Sequence, residues 1–155
     1  MSDGMFKNRV CFAEVTSSVS GSVTDLGFAA WDSEDFARYV GDSDKLIILA
    51  ATAGLQIDRL ITAKSSISPS VAHMLEAVGN ERIEALCDAF CAEAETRFGK
   101  LKSRFSPGYG DLPLEAQKDI FTLLDPPRRI GLTLNASLMM SPSKSVTAIC
   151  AVKRD

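Results

Sequence analysis

The chain has 155 residues, 17 Lys+Arg against 20 Asp+Glu, and a formal net charge of −3. That length suits one domain with one sizeable core, and 46% hydrophobic with 24% charged residues is globular rather than disordered composition. The acidic balance argues against a general phosphate-backbone binder, and the single histidine, His73, excludes sites that need two.

The first six residues are expected to fray. Residues 10–15 read as a strand. Residues 16–21, rich in Ser and closed by Gly21, read as a turn, and residues 22–30 as the return strand of a hairpin. Ser33 ahead of Glu34 and Asp35 is an N-cap with acids in the first turn of a short helix that ends near Val40, just before Gly41. The apolar run Leu46-Ile47-Ile48-Leu49-Ala50 predicts a central strand buried on both faces. Residues 55–63 are amphipathic, with Ile57, Leu60 and Ile61 on one side. Ser68-Pro69 opens the next helix, which Gly79-Asn80 should interrupt or strain. Beyond it Ile83, Leu86, Cys87, Phe90, Cys91, Ala94 and Phe98 form one stripe, while Glu81, Glu84, Asp88, Glu95 and Arg97 occupy the rest. Gly99 ends that helix.

Residues 100–113 are polar and turn-rich. Pro113 starts a helix with Glu115 in its first turn and Ile120, Leu123 and Leu124 as its apolar side. Asp125-Pro126-Pro127 stops it. Residues 130–134 alternate as a strand, and residues 144–152 form a long terminal strand. Strands cluster at both ends with helices between. That pattern predicts an α+β fold, a mostly antiparallel sheet of about five strands with about four helices packed on it, as a single domain over residues 1–155.

Cys11, Cys87, Cys91 and Cys150 contain no CxxC pair. Cys87 and Cys91 stack one turn apart on a helix, and all four read as small buried hydrophobes in a reducing compartment, with no metal site. Residues 1–9 are polar and no apolar segment follows, so no signal peptide is expected. The longest apolar run, residues 46–55, is broken by Thr52 and Gly54 and is too short to span a bilayer. A cytoplasmic protein with no membrane or nucleic-acid partner is expected. His73 reads as an ordinary half-buried histidine and Met139-Met140 as a core segment. Lys100, Lys102 and Arg104 form a small basic run, either a solvated surface or a dock for an acidic electron donor.

Residues 104–113 gather one cation, one phenol, two glycines and two prolines. The prolines stiffen the segment and the glycines permit close approach to backbone. Arg104 offers a planar fork for a carboxylate or phosphate. Tyr109 offers an aromatic face and a hydroxyl. From residue chemistry alone, a tight turn with a surface Arg and a half-buried Tyr is an equal reading.

The segment resembles the Arg-x-x-x-Gly-Tyr motif of the activation domain of cobalamin-dependent methionine synthase, with Arg104, Gly108 and Tyr109 at its fixed positions. Ile120-Phe121-Thr122-Leu123-Leu124-Asp125 resembles the family's next helix. Gly131, Leu134, Ser137, Met140 and Pro142 match its Gly-x-x-Leu-x-x-Ser-x-x-Met-x-Pro signature, and Ser145-Val146-Thr147 its last common strand. Ala51-Thr52-Ala53-Gly54 with Asp58 resembles a segment of the small stand-alone members. The likeness runs from Ser22 to the C-terminus; residues 1–21 match weakly, and the extension that adds an aromatic wall in the large enzymes does not follow the last strand.

The resemblance implies a domain that binds S-adenosylmethionine and presents its methyl group to cobalamin carried by a corrinoid-binding methionine synthase core. One electron comes from a flavodoxin-like or ferredoxin-like donor. It implies that Arg104 pairs with the ligand carboxylate, that Ser106 contributes backbone polar groups, that Gly108 allows close approach and that Tyr109 lines the methionine moiety. None is an acid–base catalyst; positioning would do the work, as an accessory subunit inactive alone. The acidic partner of the ligand ammonium is Asp111, Asp25, Glu93 or Glu95. The chain lacks the Asp-x-His-x-x-Gly motif of corrinoid binding, which suggests action in trans. The competing readings are a sensing or docking module without turnover, and reactivation of another corrinoid methyltransferase.

Overall fold

In the computed structural model, which describes residues 6–154, the apolar run 46–50 lies inside β5 (Lys45–Thr52). It is flanked by antiparallel β1 (Arg9–Thr16) and β8 (Ser145–Ala151). Side chains alternate along a strand. Leu46, Ile48 and Ala50 therefore enter one core with Phe36, Leu112, Ile120 and Leu124, while Ile47, Leu49 and Ala51 enter a second with Ile83, Cys87 and Ala94. All six strand residues are fully buried, as a central strand covered on both faces requires.

The first core is closed by α1 (Glu34–Val40), α4 (Ala116–Leu124) and α5 (Pro126–Ile130). Ser33 caps α1, its hydroxyl oxygen accepting from the Phe36 N–H at 3.0 Å. The second core is roofed by α3 (Pro69–Phe98), preceded by α2 (Gln56–Ser65). All seven residues of the expected α3 stripe pack into that core. Gly79-Asn80 does not interrupt the helix. Gly79 is buried because the Lys144 stem crosses there; a Cβ would stand 3.0 Å from Lys144 Cγ and Cε. Lys144 Nζ reaches Glu76 Oε2 at 2.5 Å.

The structure departs from the sequence reading in four further places. Residues 18–32 do not pair with β1. They form a separate antiparallel meander, β2 (Ser18–Ser20), β3 (Val23–Asp25) and β4 (Ala30–Asp32). Gly21 and Gly27, at φ +65° and +85°, place two reversals where one was expected. Second, α4 begins at Ala116, because Pro113 and Leu114 accept from Ala116 and Gln117 in a tighter i→i+3 turn. Third, Asp125 ends α4 in the left-handed conformation, and the two prolines, tolerated at helix starts, open α5. Ile130 thus belongs to α5, and the expected strand shrinks to β6 (Thr133–Leu134), paired with β7 (Met140–Ser141). The described residues hold eight strands and five helices, the surplus over the expectation being short elements. Fourth, His73 and Met139 are exposed rather than half-buried or core.

The expected fraying falls on residues 1–5, outside the described residues, and on Phe6, which is not loose: the Arg82 guanidinium carbon lies 4.6 Å from its ring centre. No helix among the described residues is long and apolar enough to cross a membrane. Gly79→Leu should force the Lys144 stem aside and break its pairing with Glu76. Chemical denaturation should show a loss of about 1–3 kcal/mol, the usual cost of overpacking.

Candidate functional site

The segment after α3 is more ordered than its turn-rich composition suggests. It lies along the free edge of β8, with isolated antiparallel bridges from Leu101 to Val152 and from Phe105 to Ile149. Lys102 Nζ donates to the carbonyls of Tyr39 and Val40, at 2.6 and 3.2 Å, and so closes the C-terminus of α1. The Tyr39 hydroxyl donates to Ser103 O at 2.6 Å and accepts from Ala151 N at 3.0 Å. The basic run is therefore divided, with Lys102 turned to α1 and Arg104 turned to α3.

The loop that follows is held by a reciprocal latch. Asp111 accepts from the Ser33 hydroxyl and from the backbone N–H groups of Glu34 and Asp35, at 3.0 and 3.2 Å. The Asp111 N–H donates back to Asp35 Oδ2 at 3.0 Å. Gly110, at φ +53°, makes this approach possible, since a Cβ there would lie 2.9 Å from Asp35 Cβ and Cγ. The Ser33 hydroxyl and those two N–H groups hold the Asp111 carboxyl below its usual range. Behind the loop, Trp31, Phe36, Phe105 and Tyr109 contact in sequence, with ring centres 5.3, 5.3 and 5.9 Å apart. Tyr109 ends this series and keeps 59% of its surface exposed.

Between this segment and α3 opens a cavity of about 610 Å³, a size that suits a small organic ligand. Arg104, Ser106 and Tyr109 line it from one side, and Glu84, Asp88, Cys91 and Glu95 from α3. These four α3 residues follow helical spacing and share one face. Arg104 is held there by two ion pairs, Nη2 to Glu84 Oε2 and Nη1 to Asp88 Oδ1, both 2.9 Å. Its Nη1 also lies 3.8 Å from Cys91 Sγ. Gly108 does not line the cavity; at φ +95° it shapes the turn, its N–H donating to Leu112 O at 2.9 Å.

The four acids left open by the sequence now separate. Asp111 belongs to the latch, Asp25 accepts from Gly27 N on the meander, and Glu93 lines a different cleft beside Phe12 and Phe90. Glu95 does line the cavity, though its Oε2 accepts from Leu101 N at 2.9 Å. The sequence reading set Glu84 and Asp88 outside the apolar stripe and gave them no site role, because helical spacing alone does not separate them from acids facing water. Among the described residues no cluster of His, Cys, Asp and Glu is placed to hold a metal ion.

These observations define an α+β domain whose 104–113 loop and long helix flank a cavity lined by opposite charges. The sequence matches no protein-family model and no curated protein. The fold matches a solved structure, the MetH reactivation domain bound to AdoHcy, with a TM-score of 0.76 and 16% identity. The match covers 99% of this chain and 61% of that one. The chain therefore has the reactivation-domain fold, as its motifs implied, and it spans less than two thirds of the chain it resembles.

The latch yields a pH test. Because the folded carboxyl of Asp111 titrates below its unfolded value, its contribution is present above the ordinary carboxylate range and is lost as pH falls through the lowered folded value. The Glu34 and Asp35 amide resonances should shift together over that acid range in NMR spectra. In Asp111→Asn that shared transition should vanish, and amide exchange over residues 106–112 should quicken.

Proposed function

We propose that the chain binds S-adenosylmethionine in the cavity between α3 and the 101–109 segment, and supports reductive methylation of cob(II)alamin on a methionine synthase core. The observation that carries this reading is the opposition of charges across the cavity. An α-amino acid head carries a carboxylate and an ammonium. The Arg104 fork suits the first, and Glu84 or Asp88 the second. On binding, such a head exchanges the internal ion pairs of Arg104 for ligand ones, so the charged groups remain partnered.

The exposed ring of Tyr109 flanks the methionine moiety, and its π face suits the sulfonium cation. Ser106 supplies polar groups at the rim, while Gly108 acts through the turn that carries Tyr109. The similar solved domain is bound to AdoHcy, the compound that S-adenosylmethionine becomes when its methyl is removed. The size and donor set of the cavity fit that ligand class.

When docked, the partner's cobalamin supplies the methyl acceptor, and a flavodoxin-like or ferredoxin-like protein supplies one electron. This chain's residues bind and orient the methyl donor; they are not acid–base catalysts. Its one histidine follows Ser70, Val71 and Ala72, so these residues carry no Asp-x-His motif, and the corrinoid is held outside them on the methionine synthase core.

Calorimetric titration with S-adenosylmethionine tests the ligand. Arg104→Lys keeps the charge but loses the fork, and should raise Kd at least about tenfold, or about 1.4 kcal/mol. Unchanged affinity would sink the assignment of Arg104. Addition of the wild-type chain, donor protein and S-adenosylmethionine should accelerate methylation of the core's cob(II)alamin. Binding without acceleration would favour the sensing module instead.

A further inference from the structure

Cys91 is a cavity group that ligand binding does not use. It is half-buried on the cavity wall, whereas Cys11, Cys87 and Cys150 are at most 3% exposed. Its Sγ lies 3.7 Å from Cys150 Sγ on β8, and 3.8 Å from Arg104 Nη1. The groups facing it are Asp88, Glu84, Cys87 and Glu95 from α3, Arg104 from the edge segment, and Cys150 from β8. We propose that Cys91 is a site of oxidation by hydroperoxides entering through the cavity, with Cys150 as the thiol that resolves it to a disulfide.

Three observations support this assignment independently of what the cavity binds. The cavity gives a small oxidant access to one sulfur only. A second thiol already touches that sulfur, so resolution needs no large rearrangement; the pair must close from 3.7 Å to a bond of about 2.0 Å. The hydrogen bond from Cys150, and then Arg104, hold the Cys91 thiol below the usual thiol range against burial and Asp88, while burial pushes Cys87 up to about 11.

The chemistry balances in two steps. The Cys91 thiolate attacks a peroxide oxygen; the S–O bond forms, the O–O bond breaks, and the departing hydroxide takes a proton to become water. Cys150 sulfur then attacks Cys91 sulfur. The S–S bond forms, the S–O bond breaks, and hydroxide leaves with the Cys150 proton as a second water. The two thiols lose two electrons, and the peroxide gains them. Arg104 then loses the thiolate acceptor, and the cavity wall changes shape where the edge segment meets α3.

The test uses the full chain, hydrogen peroxide and peptide mass spectrometry after alkylation. A Cys91–Cys150 disulfide, reversed by dithiothreitol, is the expected product. Cys150→Ser should instead yield a dimedone adduct at Cys91, and Cys91→Ser should yield neither. Because Cys150 is buried and its variant can misfold, the wild type supplies a second arm. Iodoacetamide should label Cys91 at least about tenfold faster than Cys11, Cys87 or Cys150. Labelling of another cysteine first, or oxidation of wild-type Cys91 without linkage to Cys150, would overturn the proposal.

Discussion

Everything else in this molecule follows from β5 being covered on both faces. A strand of this kind has no solvent side, so the sheet needs one layer of helix below and another above. The short helices α1, α4 and α5 take one face and α3 takes the other. β8 pairs with β5 along one edge and leaves its second edge open beside α3. The motif segment fills that edge. The cavity is thus the gap left where an irregular strand and a long helix meet at the rim of a two-faced core.

Two kinds of force act at that gap. Backbone pairing and Tyr39 fix the segment as far as Phe105, and the Asp111 latch fixes the far side of the loop against α1. Arg104 and Tyr109 stand between these two fixed points. Tyr109 is supported from behind by an aromatic series reaching Trp31, whose Nε1–H donates to Asp119 at 2.8 Å. Arg104 is 21% exposed and doubly paired. A charged group so placed is preorganised at small cost because its partners face it before any ligand arrives.

The parts of the fold legible in the sequence were those with a strong period. The apolar run inside β5, the α3 stripe and the Ser33 cap each follow from a local pattern that tertiary contacts reinforce. The meander was not legible, because three-residue strands carry too little alternation to register, and Gly21 and Gly27 can serve several turns. Gly79 misled for a related reason: it looks like a break, and only the distant Lys144 shows why the helix needs it. At the cavity, Arg104, Ser106 and Tyr109 belong to a contiguous motif that the sequence displays. Glu84 and Asp88 carry no such signal, since an acid lining a cavity and an acid facing water have the same helical spacing. Asp111 was one of four acids left open for the ligand ammonium, and its partners, 76 to 78 residues away, tie it to the start of α1.

The crossing of Lys144 over Gly79 has a mechanical consequence. At 1.5 Å per residue α3 is a rod of about 45 Å, and besides its packed stripe it is gripped by polar pairs at two points. Lys144, clamped to Glu76 near the first third, comes from the start of β8. Arg104, clamped to Glu84 and Asp88, comes from the segment beside the other end of that strand. Both grips are referred to the same strand, so they act as two pins through one plate. Val71, Met74 and Val78 face outward on the early turns, and the first pin lies between those turns and the acids opposite Arg104.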